Sequence, residues 1–213
     1  MAKLPDLQMR GTAGGMILYV RNGKQCMRSK PTKVANPRTQ AQTQKRSQFG
    51  AISKFASSVL RNLIHPYWNP VARKQKRTGY NLFINTNLPA FRDGLVHPKK
   101  LLLCPENGLK QENFRVTLEN HILQIQWESI IYSKKACRED QFCLLLLSPK
   151  GTLSLKENLA LRSDQRAELE LSTTTNQSVF AFWRRGDSYS ESVWLWSSKF
   201  LVNYTKTKPV SKN

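Results

Sequence analysis

The chain reads as an α+β protein: a basic β-hairpin and a two-helix N-terminal region, followed by an antiparallel seven-stranded β-sandwich. Three observations predict this. The hydrophobic repeat is 3.6 residues in the first hundred positions and 2 residues thereafter. Turn-forming clusters punctuate the second half at short intervals. Charge divides at the same place: residues 1–100 hold 19 Lys/Arg against Asp6 and Asp93, a net +17, while the remainder adds only +3 to the total of +20. The implied segments are a hairpin arm over 1–38, a helical basic region over 39–95, a sandwich over 99–204 and a polar tail over 205–213, expected to be disordered.

Gly11–Gly15 reads as a flexible opening and Met16–Val20 as a strand. Asn22-Gly23 is the dipeptide of a tight hairpin turn, because both residues tolerate positive φ. Gln25–Arg28 is then the returning strand. Pro31 and Pro37 keep the exit extended. A lone hairpin is marginal in water, so this one needs something to pack on.

Thr39 begins a helix, with Gln42 three residues on completing a capping box. Phe49, Ile52, Ala56, Val59 and Leu63 form its apolar face, widened by Phe55 and Leu60. Arg46, Gly50, Lys54, Ser57 and Arg61 follow the same rhythm on another face. His65-Pro66-Tyr67-Trp68 is expected to break the helix. Asn69 with Pro70 reads as the cap and first residue of a second helix, running to about Asn87. Gly79 inside it costs about 1 kcal/mol relative to Ala and suits a close approach. Pro89 ends the element, and Asp93-Gly94 and His97-Pro98 mark a linker.

Seven strands are expected beyond it: Leu101–Cys104, Phe114–Leu118, Leu123–Trp127, Gln141–Leu147, Ala167–Leu171, Val179–Trp183 and Ser192–Trp196. Turns at Pro105–Gly108, Pro149–Gly151 and Arg185–Asp187 separate some of them. Trp194 and Trp196, two apart on one strand, are expected on one side, either covered by the N-terminal helices, the favoured reading, or exposed as a patch for a partner.

In the first half, Gly14-Gly15, Asn22-Gly23-Lys24, Arg28-Ser29-Lys30-Pro31, Asn36-Pro37-Arg38-Thr39, Ala41-Gln42, Arg46 and Phe49 resemble the motif string of an uncharacterised bacterial family common in Bacteroidetes. Its members join such a region to an immunoglobulin- or fibronectin-III-like domain. Trp68, Thr78–Asn81, Phe83-Ile84 and Asn87 resemble a string in related phage and mobile-element proteins. The resemblance implies the Ig/FnIII-like form of the sandwich and carries over no catalytic or binding residue.

Charge this one-sided costs self-repulsion and suits a polyanionic partner. The expected contacts are Arg21, Lys24, Arg28, Lys30, Arg38, Lys45, Arg46, Lys54, Arg61, Arg73, Lys74, Lys76 and Arg77, interleaved with Tyr19, Tyr67, Trp68 and Tyr80. No helix-turn-helix, zinc-finger or RNA-recognition pattern accompanies them, so binding is expected to follow the phosphate backbone rather than base sequence. The alternative is a structural component of a phage particle or mobile-element complex, with the sandwich as interaction module. Acids in the first half are too few for a carboxylate-pair or metal site, and Glu139-Asp140, Glu168 and Glu170 read as solvent-facing. No enzyme, cofactor or metal is therefore expected. Cys26, Cys104, Cys137 and Cys143 form no C-x-x-C pair and read as free thiols. No apolar run is long enough for a membrane span, and the first residues lack a leader's apolar core. The expected partners are nucleic acid or another polyanionic surface, with a homo-oligomer or larger assembly as a further option. The expected location is the cytoplasm, or the virion under the alternative.

Overall fold

A computed structural model describes residues 9–21, 23–32, 38–92, 95–128, 134–148, 151–171, 177–197 and the backbone of 202–203. Asn22, Pro37, Asp93-Gly94, Pro149-Lys150 and the tail lie outside these residues. The chain forms two compact units, Met1–Thr39 and Gln40–Asn213.

The first unit is an antiparallel meander of β1 (Gly11–Ala13), β2 (Met16–Arg21) and β3 (Lys24–Ser29). The glycines expected to be loose instead make structure. Gly14 and Gly15 form a two-residue turn joining β1 to β2, and Gly14 holds φ at +57°. The β2–β3 register pairs Arg21 with Lys24, so the second turn also has two residues, with Gly23 at φ +75°.

The second unit opens with α1 (Gln40–Ser58), starting directly after Thr39. Ile52, Phe55, Ala56, Val59 and Leu63 are buried as the period predicts. The helix does not break at Pro66. Leu60–Trp68 continues as a π-helical segment, in which the Ile64 amide bonds the Val59 carbonyl five residues back (3.2 Å). Proline lacks an amide proton and crowds the carbonyl one turn earlier, and a wider turn relieves that crowding.

The single helix expected over 70–87 is two: α2 (Asn69–Lys74) and α3 (Gly79–Asn87). The Arg77 amide reaches the Ala72 carbonyl and the Lys76 amide the Arg73 carbonyl, both at 3.0 Å, while Lys76 takes φ +55°. That is a Schellman ending with lysine in the position usually held by glycine. Thr78 Oγ1 then accepts from the Asn81 amide and caps α3. Asn69 does not cap α2; its Oδ1 accepts from the Gly79 amide (3.2 Å). A Cβ on Gly79 would stand 2.4 Å from that oxygen and 2.8 Å from the Asn69 backbone nitrogen. The close approach expected at Gly79 is therefore to the start of the preceding helix.

After the short antiparallel pair β4 (Phe91–Arg92) and β5 (Leu95–Val96), joined by β14 (Val202–Asn203), come two sheets. One contains β6 (Phe114–Glu119), β7 (Ile122–Trp127) and β10 (Arg166–Glu170), in the order β10-β7-β6. The other contains β8 (Gln141–Leu147), β9 (Leu153–Leu161), β11 (Ser178–Arg185), β12 (Ser188–Tyr189) and β13 (Val193–Ser197), in the order β12-β11-β8-β9 with β13 also on β11. β9 was not expected. Leu153, Leu155, Leu159 and Leu161 alternate along it, but Lys156, Glu157 and Asn158 interrupt the run; among the described residues it pairs with β8 alone, and most of its residues are exposed.

The expected strand Leu101–Cys104 is buried but joins no ladder. Side chains satisfy much of its backbone instead. Ser192 Oγ accepts from the Leu103 and Cys104 amides, Asn87 Oδ1 from the Leu102 amide, and the Trp68 indole donates to the Leu103 carbonyl (2.7 Å).

β8 and β11 are buried on both faces. Phe142, Leu144, Leu146, Val179, Ala181 and Trp183 join Leu123, Ile125, Trp127, Ala167 and Leu169 of the three-stranded sheet in one core. Cys143, Leu145, Leu147, Phe180 and Phe182 join the buried side chains of α1, the π segment, α2 and α3 in another. Trp194 and Trp196 do not share a side. The register with β11 shifts between Val179 and Phe180, sending Trp194 to the helical core and Trp196 to the sheet core.

Asp140, expected to face solvent, is fully buried. It meets Arg162 Nε (2.9 Å), and Arg162 Nη1 meets Glu112 (2.7 Å). The guanidinium lies 4.3 Å from the Trp183 ring.

Three outcomes follow for stability. Gly79→Ala should lower the unfolding free energy in urea by about 1–3 kcal/mol, as overpacking does; an unchanged midpoint would contradict the packing at Asn69. Arg162→Met should cost about 3–5 kcal/mol, because it leaves buried Glu112 without its cation and buried Asp140 with only the longer contact to Arg185. The triple variant Arg162→Met/Asp140→Asn/Glu112→Gln should be more stable than that single variant. Finally, burial raises the Cys104 thiol and the Tyr67 and Tyr189 hydroxyls, and lifts Cys143 from 9.0 to about 11. The unfolded chain loses these protons first, so stability should hold below pH 9 and fall as pH rises. Cys143→Ala should flatten the part of that fall between pH 9 and 11 in a series of thermal melts.

Candidate nucleic-acid interface

The antiparallel register decides which way each side chain of the first unit points, since directly paired residues share a face. Tyr19 pairs with Cys26, Arg21 with Lys24 and Ile17 with Arg28. These six residues, with Thr12, make one face. It holds all three strand cations and the ring of Tyr19. The other face carries Met16, Leu18, Val20 and Met27 with Ala13, Gln25 and Ser29, and no charge. Lys30 follows directly, its amide bonding the Gly15 carbonyl (2.7 Å), and Arg38, next to the unit's last residue, takes φ +48°.

The second unit carries the other eight expected contacts. Arg46, Lys54 and Arg61 are exposed, with Gly50 and Ser57 between them. At 100° per residue, Arg46 to Ser57 fall on the side of α1 away from Ile52, Phe55 and Val59. Arg46 and Lys54 stand about 12 Å apart along the axis at 1.5 Å per residue. Lys45 points elsewhere, to a cleft beside Leu88. Arg73, Lys74, Lys76 and Arg77 gather at the end of α2 rather than wrapping a long helix. There they also oppose the negative end of its dipole. Lys74 donates to Asn107 Oδ1 (2.8 Å).

All thirteen residues are exposed, and none forms an ion pair among the described residues. The contrast with the later chain is sharp. Arg115 pairs with Glu128, Lys135 with Glu106, Arg162 with Glu112 and Asp140, Arg184 with Glu157 and Arg185 with Asp140. Carboxylates thus hold five later cations and none of the thirteen.

The aromatic residues are rearranged relative to expectation. Tyr67 and Trp68 are core residues, 5% and 1% exposed, and cannot meet a partner. Tyr189 donates its hydroxyl to the Tyr67 carbonyl, and the two rings meet edge to face at 5.2 Å. Tyr80 is half-buried. Phe49, expected in the core, is 54% exposed. Its place at the edge of the apolar stripe gave no sign of this; exposure follows from where the neighbouring elements stop. Arg92 was also missed, because it adjoins the Asp93-Gly94 turn signal.

Among the described residues no three of His, Cys, Asp and Glu gather as metal ligands, and no helix is long and apolar enough to cross a membrane. A cleft of about 1070 Å³ lies away from the basic helices. Its charged lining is balanced: Lys110, Arg115 and Arg166 against Glu112, Glu128 and Asp164.

No curated protein matches the chain. Among solved structures, the fn3 domain of the human collagen alpha-1(XX) chain is similar at 18% identity and a TM-score of 0.33, over 49% of this chain and 94% of that one. The model of a family of unknown function (DUF6266) matches residues 8–183, and the chain belongs to that family.

Proposed function

We propose that the chain is a non-enzymatic protein that binds nucleic acid through its basic N-terminal half, following the phosphate backbone without base specificity. One observation carries this reading. The meander register collects Arg21, Lys24 and Arg28 on one face with Tyr19, and leaves the opposite face uncharged. Cations with no carboxylate partner are available to displace counterions from phosphates. Lys54, Arg61 and the α2 terminus extend the same chemistry in the second unit. The later residues form the presenting module. We read them as a seven-stranded, immunoglobulin- or fibronectin-III-like sandwich, in which β12 and β13 are one interrupted strand. Their pairings support this: β8 lies along one edge of β11, so β12 and β13 share the other. A cytoplasmic location suits this role.

One feature favours the second reading, an assembly component of a phage or mobile-element complex located in the virion. The uncharged face of the meander exposes Met16 (47%) and Met27 (61%). Among the described residues none of the three short strands is part of a buried core, and such a sheet gains stability when its apolar face is covered.

Fluorescence anisotropy of the full chain with a labelled duplex across a salt series tests the first reading. If six to ten phosphates are contacted, affinity should fall by roughly 10³–10⁵ between 50 and 200 mM salt. Arg21→Ala/Lys24→Ala/Arg28→Ala should make the log–log slope shallower by about 2.7, at 0.9 per phosphate. Absent or salt-independent binding would reject it. A ring or large oligomer after nuclease treatment, with no nucleic acid bound, would establish the assembly reading instead.

A further inference from the structure

The stripe of α1 that is apolar and buried from Ile52 onward becomes polar and open nearer the helix start. There Gln44, Lys45 and Gln48 face Leu88, Pro89 and Arg92 across a cleft of about 380 Å³. Gln48 Nε2 donates to the Leu88 carbonyl (2.8 Å) and ties the two walls together. Both charged lining residues are cations. Lys45 and Arg92 are exposed and pair with no described carboxylate. Asp93, next to Arg92, lies outside the described residues. The floor is apolar, from Leu88 and Pro89. Phe49 is not among the lining residues, but it follows Lys45 by four residues on the same side of the helix and is 54% exposed.

These groups differ from a generic basic surface in three respects. The cleft is concave and within the size range of small-ligand pockets. Its cations converge from two elements, α1 and β4, rather than lining one helix face. A large flat ring, costly to leave in water, lies one helical turn after Lys45. A cationic track with an aromatic platform recognises single strands, because an unpaired base offers its π face whereas a duplex base is already stacked. We propose that this cleft seats one unstacked nucleotide of a single-stranded nucleic acid, with Lys45 and Arg92 on its phosphate and Phe49 under its base. The proposal rests on the nucleic-acid reading above and sharpens it: the second unit prefers single strands, and Arg92 and Phe49 join the contact residues.

Anisotropy of the full chain with a labelled 20-nucleotide single strand and with a duplex of the same length tests it. Phe49→Ala should weaken single-strand binding about 5- to 160-fold, the range for losing one stacked base, and leave duplex binding within about twofold. Phe49→Trp should retain single-strand binding, since any flat ring serves. It also keeps the test valid if Phe49→Ala fails to fold. Lys45→Ala/Arg92→Ala should make the single-strand salt slope shallower by about 0.7, the value for the one phosphate they share. If the wild-type chain binds the single strand and these variants bind it equally well, or lose duplex binding to the same degree, the cleft proposal fails and the broader reading survives. If the wild-type chain binds neither probe, both fail.

Discussion

β8 and β11 have no solvent face, and most of the second unit can be derived from that constraint. A strand buried on both sides must be covered twice. From Phe142 to Leu147 alternate side chains enter opposite cores, and Val179 to Trp183 repeat the pattern on the neighbouring strand. The three-stranded sheet covers one side with its inward residues Leu123, Ile125, Ala167 and Leu169. The helices cover the other with Ile52, Phe55, Leu63, Trp68 and Phe83. The apolar stripe of the helices and the near-continuous apolar run of β8 are therefore complementary halves of one requirement. Each fully buried Leu or Phe contributes about 1.5–3 kcal/mol, so separating these layers would cost more than a domain's whole stability.

Burying that sheet creates polar obligations, and the chain meets them with side chains placed far apart in sequence. Leu101–Cys104 passes between helices and sheet without a strand partner. Asn87, Trp68 and Ser192 supply bonds that a ladder would have made. On the other side, Arg162 is fully buried between Asp140 and Glu112, against Trp183. Its carbonyl accepts from the Trp127 indole and its amide donates to the Asp140 carbonyl. One residue thus ties both sheets and the segment leading into β8. An ion cluster of this kind is a poor source of net stability, because desolvation offsets its attraction. Its geometric demands suit a role in holding the two sheets in register.

The elements legible in the sequence were those whose signals are local. Periods of 3.6 and 2, Thr39 before α1 and Gly23 in the hairpin turn all depend on a few adjacent residues. What was not legible depends on competition between distant parts. Pro66 is a helix breaker by its own chemistry, yet the burial of Leu63, Ile64, Tyr67 and Trp68 rewards continuing the helix, and a π turn reconciles the two. Lys76 tolerates a left-handed backbone because the turn it closes lets α3 fold back on α2. Trp194 and Trp196 obeyed the period-2 rule only until a register shift sent them to different cores. Among the candidate contacts, exposed cations were legible because exposure is the default for Lys and Arg. The exposed aromatic was not, since Phe49 and Trp68 differ only in which elements stop short of them.

The distribution of ion pairs then separates two uses of charge in one chain. In the second half, acids are available and cations are drawn into pairs, one of them buried; there charge serves the architecture. In the first half only Asp6 and Asp93 stand against 19 cations, so their repulsion has little internal relief. The fold does not need that repulsion. The apolar faces of α1 and α3 are complete without it, and the α2 terminus would be neutralised by one or two cations rather than four. Charge that a fold does not use, arranged on one side of a sheet and one side of a helix, is what the proposed polyanion contact would relieve. Under the proposed function, uniform backbone phosphates would answer both arrangements.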